Sequence, residues 1–121
     1  MIAIEEVKDA LEVGIYGELT LADYRQLEQA VTNELRAAPK VKMLLDVRGM
    51  TGFTLDVAWE EIKFSRAHAH DFRRIAVVTP EQWGTWLSWI SAAFTDAEVA
   101  LFDHPDAAET WLQRKPDEPT T

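Results

Sequence analysis

The sequence predicts an α/β domain: an N-terminal hairpin, then a βα superhelix whose mostly parallel sheet carries its helices mainly on one face. Apolar residues alternate in five short runs and recur at three- and four-residue spacing between them, in the order ββαβαβαβα. Repeated βαβ units require parallel strands joined by right-handed crossovers. Strands buried on both faces read as continuous apolar runs, yet these keep Glu12, Lys42, Asp46, Arg74 and Glu98 on the alternate face. Helices should therefore cover mainly one side.

Ile2 and Ile4, then Leu11, Val13 and Ile15, alternate with Glu5, Glu12 and Tyr16, as half-buried strands require. A turn around Lys8-Asp9-Ala10 makes them a hairpin. After Gly17, Thr20 can cap a helix over 21–37 whose stripe is Leu21, Tyr24, Leu27, Val31 and Leu35, and Pro39 stops it. Val41, Met43, Leu45 and Val47 form a third strand that runs into the turn-rich Arg48-Gly49-Met50-Thr51-Gly52. A second helix, with its cap expected at Thr54, has a face of Leu55, Ala58, Trp59, Ile62 and Arg66, apolar at its start and basic at its end.

Ile75 to Thr79 reads as a fourth strand, and Thr79-Pro80-Glu81-Gln82 is a capping box with proline at the first helical position. The third helix that follows carries Trp83, Trp86, Leu87, Ile90 and Phe94 on one stripe, with Trp89 to one side. Val99 and Leu101 make a short fifth strand, and a last helix over 107–112 begins near Pro105. One domain over 1–113 and a frayed tail over 114–121 account for the chain.

Composition narrows the function classes. The 121 residues suit one core, and a hydrophobic fraction of 47% with five Trp supplies it without disulfides or a structural metal. With no cysteine, thiolate ligation and a cysteine nucleophile are excluded, and a cytoplasmic location is expected. Neither an export signal nor an apolar run of membrane-spanning length is found. A net charge of −9 repels nucleic acid and anionic lipid, although Lys63, Arg66, His68, His70, Arg73 and Arg74 form a local cationic pole against Asp71.

The order of elements, together with Leu44-Leu45-Asp46-Val47-Arg48, Gly52-Phe53-Thr54-Leu55, Trp59-Glu60-Glu61-Ile62-Lys63-Phe64 and Ile75-Ala76-Val77-Val78, resembles the SpoIIAA-like family over about residues 1–113. The resemblance implies the fold of STAS domains, the anti-sigma-factor antagonists, with a distant architectural likeness to CRAL-TRIO lipid-transfer domains. STAS antagonists carry a phosphorylatable serine at the start of the helix after the third strand. The matching stretch here is Thr54-Leu55-Asp56-Val57, in which Thr54 is the nearby hydroxyl. Thr54 is expected to cap the helix and not to act as a phosphorylation switch.

Asp46 and Arg48 lie at a strand end, where open α/β folds place ligands, although such a pair also serves to tie down a loop. With Thr51, Phe53, Thr54 and Trp59 they form the best candidate site. His68-Ala69-His70-Asp71 invites a metal reading, but histidines two apart on a helix point about 200° apart around the axis. No metal or other cofactor is expected. Nucleophile elbows and phosphate-binding glycine loops are also missing, so an enzyme is not expected.

The expected function is a binding or regulatory module engaging a protein partner or itself. Apolar surface including Trp89 would make a symmetric homodimer. The alternative is a carrier of a small apolar or lipid-like ligand, held between the second and third helices near Phe53, Trp59 and Trp86.

Overall fold

The computed structural model describes residues 1–7, 9–68, 70–79 and 97–114, with the Ser65 side chain excepted. In chain order they form β1 (Ile2–Val7), β2 (Ala10–Leu19), α1 (Leu21–Ala37), β3 (Val41–Phe53), α2 (Leu55–Ala67), β4 (Phe72–Val78), β5 (Glu98–Phe102) and α3 (Pro105–Gln113). The sheet order is β1-β2-β3-β4-β5. The first pair is antiparallel and the remaining three are parallel. The helix expected after Thr79, with Trp83, Trp86 and Trp89, and the tail over 115–121 lie outside the described residues.

α1 has the predicted bounds, and Thr20 closes a full capping box with Asp23. Its Tyr24, Leu27 and Val31 pack with Val57 and Phe64 of α2 on Leu11, Val13, Ile15, Met43, Leu45, Ile75 and Val77. These strand residues are the alternation class expected under the helices. β1 completes this side with Ile2 and Ile4.

α3 crosses to the other face and extends the expected one-sided cover. Ala108 and Leu112 bury Ala10, Leu44, Ala76 and Val78, while Trp111 packs on Phe102 with ring centroids 5.6 Å apart. Arg74, placed on this face by alternation, is only 5% exposed. Its Nη1 donates to the carbonyls of Trp111 (2.7 Å) and Arg114 (2.8 Å). The guanidinium lies 5.1 Å from the Trp111 ring, and its Nε is 3.5 Å from Glu98 Oε2. A cation thus fills the carbonyl-rich end of α3, where helix geometry leaves acceptors unpaired.

The stretch Arg48-Gly49-Met50-Thr51-Gly52 is not a turn. β3 continues through it to Phe53, paired with β2 up to Leu19. Register shifts between Gly14 and Tyr16 and between Gly17 and Glu18 let β3 take up extra residues as bulges, so Val47 and Met50 both reach the core. The glycines serve this irregular pairing. A Cβ on Gly49 would sit 2.8 Å from the Tyr16 ring, and Gly17 has φ +69°.

Candidate functional site

The sheet separates the predicted site residues into two groups. Asp46 lies on the face that carries α3, whereas Trp59 lies on α2, over the opposite face. Thr51, Phe53 and Thr54 occupy the β3–α2 junction between them.

On the first face Asp46 and Arg48 close on each other. Arg48 Nε and Nη2 donate to the two carboxylate oxygens at 3.0 and 2.7 Å, and the Arg48 backbone N–H donates to Oδ1 at 3.1 Å. The Arg48 guanidinium holds the Asp46 carboxyl below its ordinary range. Such a closed bidentate pair fixes the strand end and leaves little capacity for a ligand.

Two grooves flank α3 here. One, about 520 Å³, is lined by Val7, Glu12, Glu109 and Arg114 among others; the second, about 490 Å³, by Glu5, Glu12, Tyr16 and Asp46 among others. Burial, then the nearby Glu109 and Glu5 carboxylates, push the Glu12 pKa up.

At the junction, Thr51 is exposed and Phe53 packs partly against the main core. Thr54 occupies the N-cap position of α2 with extended backbone, but its side chain makes no capping bond. Its hydroxyl donates to Asp56 Oδ1 instead, so the expected side-chain cap is corrected: the first-turn carboxylate takes the hydroxyl's hydrogen.

From Thr54 the chain enters α2, whose inward residues are Val57, Glu61 and Phe64. The face of Leu55, Ala58, Trp59, Ile62 and Arg66 therefore turns outward. Leu55 is 88% and Trp59 64% exposed. With Asp56, Ala58 and Ile62 they line a shallow, open depression of about 720 Å³. Covering a Leu of this kind is worth about 1.5–3 kcal/mol. Local periodicity marked this stripe, but the side it faces is set by Val57 and Phe64, which fit the sheet better.

Between α1 and α2, carboxyl groups crowd together. Glu61 is buried, and Glu28 Oε1 is buried with no hydrogen-bond donor among the described residues. Burial first, then the neighbouring Glu60 carboxylate, raise the Glu28 pKa, with Arg25 and His68 opposing. Burial first, then the Glu61, Glu28 and Glu60 carboxylates, hold the Tyr24 hydroxyl far above its ordinary pKa.

His68 Nδ1 lies 2.8 Å from Asp71 Oδ2, and its ring packs at a tilt on Phe64 with centroids 4.5 Å apart, which ties it to the end of α2. Among the described residues no three His, Cys, Asp or Glu are grouped to hold a metal. No helix of the described residues is long and apolar enough to cross a membrane. Trp86 and Trp89 of the candidate set lie outside the described residues.

Two solved structures share this architecture. An uncharacterized protein of the DUF3478 family with a SpoIIAA-like fold, from Shewanella loihica PV-4, is 28% identical, with a TM-score of 0.74 over 93% of this chain and 92% of its own. An anti-sigma factor antagonist from Mycobacterium paratuberculosis is 15% identical, with a TM-score of 0.58 over 94% of each chain, and shares the fold. No curated protein matches the sequence. The SpoIIAA-like family model matches residues 10–113, and the chain belongs to the SpoIIAA-like family.

Proposed function

We propose that the domain is a non-enzymatic regulatory module that acts by protein contact through the outward face of α2. The observation that carries this reading is the exposure of Leu55 and Trp59 on a helix whose other side already fills the core. Isolated apolar residues on a surface need no explanation, but two large ones at i and i+4, continued by Ala58 and Ile62, form a contiguous patch. Membership of the SpoIIAA-like family and a fold shared with an anti-sigma factor antagonist support a regulatory role. The patch starts just after Thr54, where the chain leaves β3, so a docked protein would also touch Thr51 and Phe53. Asp46 and Arg48 act as a strut and not as ligands in this reading. A carried apolar molecule would be covered on one side only by so open a depression, which favours a protein occupant.

The test is a photo-reactive amino acid placed at Leu55, with Gln26 on the exposed side of α1 as control, in the native cell. Protein adducts at Leu55 and none at Gln26 are expected. Equal labelling at both positions, or a small molecule retained in native mass spectrometry and released by Trp59→Ser, would contradict the proposal.

A further inference from the structure

We infer that the occupant of the α2 face is a second copy of this chain, docked with its α2 antiparallel across a two-fold axis. The inference rests on the reading of that face as a protein contact. Leu55, Trp59, Ile62 and Arg66 follow one another at spacings of four, three and four, so they share one side of the helix over ~16 Å.

The two ends of this stripe carry opposite charge. Asp56 stands exposed at the N-terminal end, and Lys63 and Arg66 stand exposed at the C-terminal end. Lys63 reaches Glu60 at 3.7 Å yet keeps 60% of its side chain exposed. Arg66 has no ion pair among the described residues.

A neighbouring helix of identical sequence can satisfy this pattern in one direction only. A parallel copy sets Asp56 beside its own image and Arg66 beside its own image, and like charges in contact are unfavourable. An antiparallel copy sets Asp56 beside Arg66 of the other molecule, twice, by the same two-fold operation. The axis then passes between Trp59 and Ile62, so that each indole covers the other molecule's Ile62. The patch is thus complementary to itself in charge, although each whole chain carries −9. A stripe of this length lies at the small end of interface sizes, so the dimer forms and separates with concentration.

Sedimentation velocity of the full chain tests this from ~10 to ~500 μM, a range that spans micromolar dissociation constants. The unmodified chain is expected to shift from monomer to dimer. Trp59→Ser, the loss of a central contact, should weaken the dimer at least about tenfold, and so should Arg66→Asp, which sets two carboxylates side by side at both ends of the stripe. Asp56→Arg combined with Arg66→Asp in one chain should restore it to within about threefold. Within one helix these two positions lie ~15 Å apart, so restoration can come only from the second molecule. Circular dichroism spectra matching the unmodified chain establish that the variants are folded.

An unmodified chain that stays monomeric at ~500 μM, or a dimer indifferent to Trp59→Ser, would overturn the inference. If that monomer still gives adducts with a different protein at Leu55, self-association falls and the α2 contact stands. If it gives none, and Trp59→Ser melts far below the unmodified chain, the face is covered from within the same chain and both readings fall.

Discussion

α2 and α3 cover opposite faces of one sheet, and they place their apolar residues differently. α3 buries Ala108 and Leu112 completely, and Trp111 is flanked by Phe102 and by the Arg74 guanidinium. α2 buries Val57 and Phe64 and still turns Leu55 and Trp59 to the outside. Substitutions on α3 should therefore act on folding, and substitutions on the outer side of α2 on association. A helix with one satisfied apolar face is a structural element; a helix with a second, uncovered face is also a surface.

The largest effect that separates the two helices is expected from Leu112→Ala. It removes a fully buried side chain between α3 and the sheet and should cost about 2–5 kcal/mol in denaturant unfolding. A loss below about 0.5 kcal/mol, the scale of ordinary surface changes, would mean that α3 does not seal this face.

Next in size is Arg74→Met, which keeps the aliphatic stem but removes the guanidinium bonds to the Trp111 and Arg114 carbonyls. A loss of about 2 kcal/mol is expected, as for hydrogen bonds to a charged group. Equal stability of the variant would show that solvent replaces the guanidinium.

A smaller effect, with a definite sign, belongs to the α1–α2 contact. Burial and Glu60 raise the Glu28 pKa above its ordinary 4.5, so the folded state binds this proton more tightly than the unfolded state. The resulting stability is fully present below pH 4.5 and is lost as pH rises through the folded value. Glu28→Gln should accordingly be more stable than the unmodified chain at pH 7 and show no such advantage at pH 4. Urea titrations at the two pH values check this; an advantage at pH 4 alone would reverse the assignment.

Much of this architecture was legible in the sequence because it is written in local periodicity. Thr20 and Pro39 bracket α1, the alternation of Leu11, Val13 and Ile15 with Glu12 marks the buried side of β2, and Pro105 marks the start of α3. The misread parts depend on the neighbouring chain. Gly49 and Gly52 suggest a turn, but they belong to a bulged strand that the Tyr16 ring lies against. Arg74 alternates with core residues and so reads as solvated, until α3 closes over it from 37 residues further on. Thr54 sits where a cap belongs, yet Asp56 takes its hydroxyl.

The predicted site residues were grouped by nearness in sequence, which does not fix where they lie in the fold. Asp46 and Arg48 stand close to Thr54 and Trp59 in sequence, and the sheet lies between the two groups. Both Val57 with Phe64 and Leu55 with Trp59 are spaced to lie on a helix face, so the pattern alone does not decide which pair turns inward. Packing against the sheet decides it.

The measurement that bears most directly on the account is the parallel determination of thermal stability and of Leu55-borne crosslinking in Trp59→Ser. A residue that is spare for folding and used for contact should leave the melting temperature within about 3 °C, the shift expected from about 0.5 kcal/mol. The protein adducts should disappear. A melting temperature lowered by 10 °C or more, on the order of the loss of a core residue, with the adducts unchanged, would contradict the claim that the outer face of α2 is a surface for binding.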